Sequence, residues 1–144
     1  VYKRQVLTPH AGEAARLAHP FNLSVGVDPE RDAQSLSRAY GALVVLKGPN
    51  TVIAYEDKTH VITSGTSALA KAGTGDVLAG MVTGLLAQGL DPLDAALLGV
   101  ELHAQAGIVA SHKVGPISVC AEDVLYAIPG AIGVLTSKES LCYD

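Results

Sequence analysis

The chain has 144 residues, 49% of them hydrophobic and 17% charged, with a formal net charge of −4 at pH 7. That is one domain's worth of sequence, apolar enough to bury a core and so not disordered by composition. The charges are scattered, with no basic stripe or Lys/Arg cluster, and Cys120 and Cys142 are too few and too far apart for a disulfide framework or a zinc site. No nucleic acid, membrane or protein-bound metal is therefore expected, and the expected location is cytoplasmic.

The opening run VYKRQ is polar and has no capping or periodic role. It resembles translated adapter sequence at the ends of gene fragments, so Val1 to Gln5 are expected to be non-native. Val6 to Thr8 reads as a short strand stopped by Pro9, and its abrupt start predicts a chain that begins inside a larger domain. Gly12 to Ala18 is a short alanine-rich helix with Glu13 in its first turn. Asp28-Pro29 starts the next helix, with aspartate as N-cap and proline at the first helical position, and Gly41 ends it after Tyr40. Leu43 to Leu46 is a continuous apolar run, the mark of a strand buried on both faces. Pro49-Asn50 turns the chain into a strand at Thr51 to Tyr55, and Asp57-Lys58 into another at Thr59 to Thr63.

The apolar segment Val77 to Ala87 places Gly80 and Gly84 on one helix face. Glycine costs about 1 kcal/mol against alanine inside a helix, so the pair predicts close packing against a neighbouring element, within the domain or between subunits. The segment is shorter than the roughly 17–25 residues that span a bilayer. Asp91-Pro92 opens a further helix, with Asp94 in its first turn, expected to reach Ser111. A last helix from Ala121 to Ala127 is expected to stop at Pro129, and a frayed tail to follow from Thr136. Strands and helices are mixed, which predicts an α/β fold. The second half is mostly helical and the strands are fewer than a complete doubly wound domain needs.

Chemistry concentrates at KAGTGDVLAG, Lys71 to Gly80. Gly73 and Gly75 permit positive φ angles and close approach of a ligand. A helix start offers unpaired N–H groups and a partial positive charge, which suit phosphate. Asp76 would sit in the first helical turn, where a carboxylate can take the proton of a hydroxyl that attacks a phosphoryl group. The stretch is neither a Walker loop nor the dinucleotide fingerprint, since Leu78 stands three residues after Gly75. On spacing alone, a capped helix with a glycine lead-in is the preferred reading.

Ala72 to Gly107, AGTGDVLAGMVTGLLAQGLDPLDAALLGVELHAQAG, resembles the C-terminal region of the ADP/ATP-dependent NAD(P)H-hydrate dehydratases of the ribokinase-like superfamily. LTPHAGEAARL, VVLKGPNTVIA and AEDVLYAIP are similar to further segments of that family, in the right order, with Ala11 where proline is usual and Ala72 where glycine is common. Together they cover most of residues 6 to 130. The resemblance implies a ribokinase-like three-layer α/β/α domain over residues 6–135, incomplete because the N-terminal half is missing. It also implies a function: ADP- or ATP-dependent dehydration of (S)-NADHX and NADPHX back to NADH and NADPH, through a phosphorylated intermediate, with Mg2+. The net reaction is that of a hydro-lyase.

By the same resemblance, Asp76 would contact the hydrate and act as the base, and His10 would contact the hydrate. Lys47, Gly48, Pro49, Asn50 and Thr51 would hold the AMP part of the nucleotide, and Gly75 would lie beside it. Read without it, Lys47 is a solvated lysine at a strand end, His10 a turn histidine, Glu13 a first-turn helix carboxylate and His103 a satisfied core histidine. The segment TSGTSALAKAG stands where relatives carry an Asn-Pro-Gly-rich run. The chain alone is expected to fold poorly and to have little activity, and the full-length protein to be a homo-oligomer. The rival readings are a ribokinase-like kinase of a sugar, vitamin or thiazole alcohol, and an inactive nucleotide-binding fragment.

Overall fold

A computed structural model describes residues 5–139. Of the expected non-native run Val1 to Gln5, residues 1–4 lie outside them, as do the tail residues 140–144. The described chain forms two compact units, residues 5–63 with 86–97 and residues 64–85 with 98–139.

The first unit is built on a four-stranded sheet of β1 (Val6–Leu7), β2 (Leu43–Leu46), β3 (Thr51–Tyr55) and β4 (Lys58–Ile62), in that order. β1 runs parallel to β2, pairing Val6 with Leu43. A parallel pair needs a crossover, supplied by α1 (Ala11–Ala18) and α2 (Pro29–Tyr40). α2 starts and stops as its residues predict. Asp28 Oδ1 accepts the Glu30 and Arg31 N–H groups at 3.1 and 3.2 Å, and Gly41 ends the helix at φ +59°. β2, β3 and β4 are antiparallel neighbours, with Val45 opposite Ile53 and Ile53 opposite His60. β4 starts one residue earlier than expected, because Glu56 takes the left-handed turn position at φ +54° and Lys58 already pairs with Tyr55.

The apolar run in β2 is buried on both faces, as expected. Val44 and Leu46 join Ala33 and Leu36 of α2 with Val52 and Ala54 of β3 in one core cluster. Leu43 and Val45 point to the opposite face by strand alternation and are also fully buried. Leu36 is fully buried too, and removing one such side chain from water is worth about 1.5–3 kcal/mol.

The second unit takes most of α3 (Thr74–Ala87), most of α4 (Pro92–Val114) and all of α5 (Ala121–Glu139). Its core gathers small residues, among them Ala106, Ala110, Val119, Val124 and Ala131. α4 is long and apolar enough to cross a membrane, with a mean hydropathy of 1.3, but 56% of that stretch is buried within the protein, as in a core helix.

Two expectations are corrected here. α5 does not stop at Pro129; it continues to Glu139, so Thr136 to Glu139 are helical rather than frayed. Proline inside a helix costs about 3 kcal/mol, partly through the missing bond to the carbonyl four residues back. That carbonyl belongs to Leu125, a half-exposed residue. Val124, Ala127 and Ala131 lie on one buried face and hold the turns on both sides of the proline. The second correction concerns Gly80 and Gly84. A Cβ at either would meet nothing within 4 Å among the described residues, so neither marks a close approach between elements of this chain. The close approaches are on α4 instead. A Cβ at Gly99 would lie 2.7 Å from Val82 Cγ2, and one at Gly107 would lie 2.7 Å from Leu69 Cγ.

Candidate functional site

In the first unit the chain brings His10, Glu13 and Lys47 together. Lys47 donates its N–H to Pro9 O at 2.8 Å, extending the parallel pairing one step beyond the strands, so that His10 and Lys47 form an isolated bridge. His10 is the N-cap of α1. Its Nδ1 accepts the Gly12 and Glu13 N–H groups at 3.0 and 3.2 Å, and Glu13 Oε2 accepts the His10 N–H at 2.7 Å. This is a reciprocal capping box with histidine in the usual serine or threonine role. Two donors aimed at Nδ1 leave the proton of the neutral ring on Nε2, which lies 3.4 Å from Glu13 Oε1. A Cβ at Gly12 would lie 3.1 Å from His10 Cε1, a tight contact.

Glu13 also faces Lys47, with Nζ 3.6 Å from Oε2. Its carboxyl is held below the usual carboxylate range, first by the His10 N–H, with burial opposing it and the Lys47 and His10 charges adding smaller downward effects. Gly48, Pro49 and Asn50 form the exposed turn between β2 and β3, and Thr51 opens β3. A Cβ at Gly48 would lie 3.2 Å from Asn50 O, so the turn is tight.

In the second unit α3 begins at Thr74, three residues before the expected start of the apolar segment, and Asp76 is its third residue. Asp76 is therefore a first-turn carboxylate and not the N-cap. Gly73 precedes the helix at φ +86°, where a Cβ would lie 3.0 Å from Ala121 Cβ, so only glycine fits. The Asp76 and Val77 N–H groups bond Gly73 O at 3.1 and 3.2 Å, whereas the Gly75 N–H has no partner among the described residues. The Asp76 side chain is exposed and makes no hydrogen bond or ion pair with a described residue. It borders a hollow of about 500 Å³ lined by Val77, Gly80, Met81, Leu125 and Ile128.

The turn that leads into α3 is locked. Thr74 is buried, and its Oγ1 lies 2.6 Å from Leu69 O and 2.8 Å from Lys71 O, sharing one proton between two carbonyls. Lys71 Nζ donates to Ile117 O at 3.1 Å. Ser64 Oγ donates to Glu101 Oε2 at 2.6 Å. His103 is buried and its Nε2 lies 2.8 Å from Thr74 O, a satisfied core histidine as expected. Its partner was not foreseeable, because 29 residues separate the two. Among the described residues no group of three or more His, Cys, Asp or Glu side chains could hold a metal ion.

A family model described as NAD(P)H-hydrate dehydratase matches residues 2–130. The bifunctional NAD(P)H-hydrate repair enzyme Nnr of Moorella thermoacetica is 41% identical over 125 residues, covering 86% of this chain and 24% of that protein. Two of the similar solved structures serve as examples. One is the ADP/ATP-dependent NAD(P)H-hydrate dehydratase of Bacillus subtilis co-crystallized with ATP/Mg2+, at 27% identity and TM-score 0.76, covering 92% of this chain and 51% of that one. The other is a ribokinase-like superfamily protein of Enterococcus faecalis, at 29% identity and TM-score 0.73, covering 90% and 44%. The α/β fold is thus ribokinase-like, and the chain spans about a quarter of the curated relative's length.

Proposed function

The chain belongs to the NAD(P)H-hydrate dehydratase family, and from that premise we propose that its residues serve the nucleotide-dependent dehydration of (S)-NADHX and NADPHX. The observation that carries the proposal is the exposed Asp76 carboxylate in the first turn of α3, next to the unpartnered Gly75 N–H.

The chemistry follows from that pairing. The hydrate hydroxyl is a poor leaving group, so it must first be phosphorylated. Asp76 accepts the hydroxyl proton as the oxygen attacks the terminal phosphoryl group of ADP or ATP, and the bond from that phosphorus to the nucleotide's bridging oxygen breaks. The Gly75 N–H and the positive end of α3 face the phosphoryl oxygens. Phosphate then leaves, the neighbouring ring carbon gives up a proton, and the double bond of the dihydropyridine returns. The hollow beside Asp76 offers an apolar wall to a planar ring.

His10 presents its Nε2–H as a donor to the hydrate. Lys47, Gly48, Pro49, Asn50 and Thr51 receive the AMP part of the nucleotide. Mg2+ would enter with the nucleotide's phosphates, whose oxygens suit a hard cation, to neutralise charge there. The reaction is proposed for the complete domain, since the chain spans about a quarter of its curated relative and about half of the solved one.

The product decides the matter. NADHX incubated with ADP, Mg2+ and the complete domain should regain NADH absorbance and release one inorganic phosphate per NADH. A stable phosphorylated alcohol with no NADH would point to a small-molecule kinase instead.

A further inference from the structure

His103 has no part in the chemistry above, yet it is buried in α4 and faces the helix that carries Asp76. Gly99, His103 and Gly107 are four residues apart and share one face of α4. Gly99 lets Val82 of α3 come within 2.7 Å of where a Cβ would stand, and Gly107 does the same for Leu69. Between them His103 Nε2 reaches Thr74 O at 2.8 Å. A carbonyl oxygen only accepts, so Nε2 carries the proton and donates.

Thr74 O belongs to the same peptide unit as the Gly75 N–H. That N–H is the one in the first turn of α3 without a partner among the described residues. Peptide units are planar, so fixing the carbonyl end fixes the direction of the N–H end. Donation to the carbonyl also polarises the unit and makes its N–H the stronger donor, by about 10–30% per bond.

We propose that His103 is a positioning residue that acts through the Thr74–Gly75 peptide: it orients and strengthens the Gly75 N–H toward the nucleotide phosphate. The small residues at Gly99 and Gly107 are what bring the imidazole close enough. The assignment rests on the reading of Gly75 as the phosphate neighbour, and it goes beyond that reading in naming what holds the donor in place.

The complete domain offers a selective probe. Residues 1–144 contribute two Thr-Gly pairs to it, Thr74-Gly75 and Thr83-Gly84. Labelling with carbonyl-13C threonine and 15N glycine restricts the NMR spectrum to Thr-Gly amides, and the signals lost in Gly75→Ala and Gly84→Ala identify the site and an internal reference. Adding ADP with Mg2+ should shift the Gly75 signal and leave Gly84 in place. In His103→Leu the Gly75 signal should move before any ligand is added, and its ADP-induced shift should fall by about half or more. His103→Gln places an amide donor near the same point and should restore both. In the complete domain, His103→Leu should lower kcat about tenfold with the KM for NADHX nearly unchanged, short of the 10²–10³ cost of deleting an oxyanion donor outright. His103→Gln should recover most of that loss.

A Gly75 signal in His103→Leu that matches wild type, or a folded His103→Gln variant that restores nothing, overturns the proposal. Should His103→Leu fail to fold, wild type still decides. A slowly exchanging His103 Nε2–H signal with scalar coupling to the Thr74 carbonyl is expected, and its absence overturns the proposal. Turnover that survives Asp76→Asn would instead remove the catalytic reading, while the Gly75 signals continue to judge His103 separately.

Discussion

His10 and Glu13 cap α1 reciprocally, each side chain accepting the other's backbone N–H, at 3.2 and 2.7 Å. The arrangement predicts a stability effect with a definite pH sign. Glu13→Ala should cost about 0.5–2 kcal/mol, the usual worth of a helix cap, measured by urea denaturation. The folded pKa of Glu13 lies below its ordinary 4.5. Its charged form therefore contributes stability that is fully present above about pH 5 and is lost as pH falls through the lowered folded value. The stability gap between wild type and Glu13→Gln should close as pH falls from about 5 toward about 2. A gap that widens on acidification would contradict the capping box.

Gly99 and Gly80 should respond in opposite directions to the same change. A Cβ at Gly99 meets Val82 Cγ2 at 2.7 Å, and valine cannot swing away because its χ1 is restricted. Gly99→Ala should destabilise by about 1–3 kcal/mol through overpacking. Gly80 has open space around it, so Gly80→Ala should stabilise by about 0.5–1 kcal/mol through helix propensity. Chemical denaturation midpoints of the two variants settle this, and equal shifts would place the close approach elsewhere.

Pro129→Ala tests the length of α5. Because the helix runs through this position, alanine restores a bond to Leu125 O and removes ring crowding, a gain of about 1–3 kcal/mol. The greater freedom of the unfolded chain takes back about 0.4–1 kcal/mol. A net rise in stability and helical circular dichroism is expected. A fall in both would mean that the helix ends before the proline.

Much of this was legible in the sequence because the signals are local. Asp28-Pro29 and Gly41 bracket α2, and the LVVL run of β2 announces burial on both faces. Asp76 in a first helical turn follows from its distance to Gly73 and Gly75. What could not be read depends on partners far along the chain. Glu13 meets Lys47, and His103 meets Thr74, across gaps that no short window spans. The within-domain reading of Gly80 and Gly84 failed for the same reason. Their spacing matches a packing face, but only a neighbouring element shows which glycines are approached, and those are Gly99 and Gly107. Pro129 misled because burial on the Val124, Ala127 and Ala131 face, invisible to a propensity rule, outweighs one lost bond.

The most direct test of Asp76 as the base is the rate at which the complete domain returns NADH from NADHX with ADP and Mg2+, compared between wild type and Asp76→Asn. ADP affinity is measured alongside, by calorimetry. Asparagine keeps the size and most of the hydrogen bonding but cannot take the proton. The expected result is a loss of about 10²–10⁴-fold in rate, with ADP affinity changed by no more than a few-fold. A loss below about threefold, in a wild-type background that turns over NADHX, would remove Asp76 from the reaction.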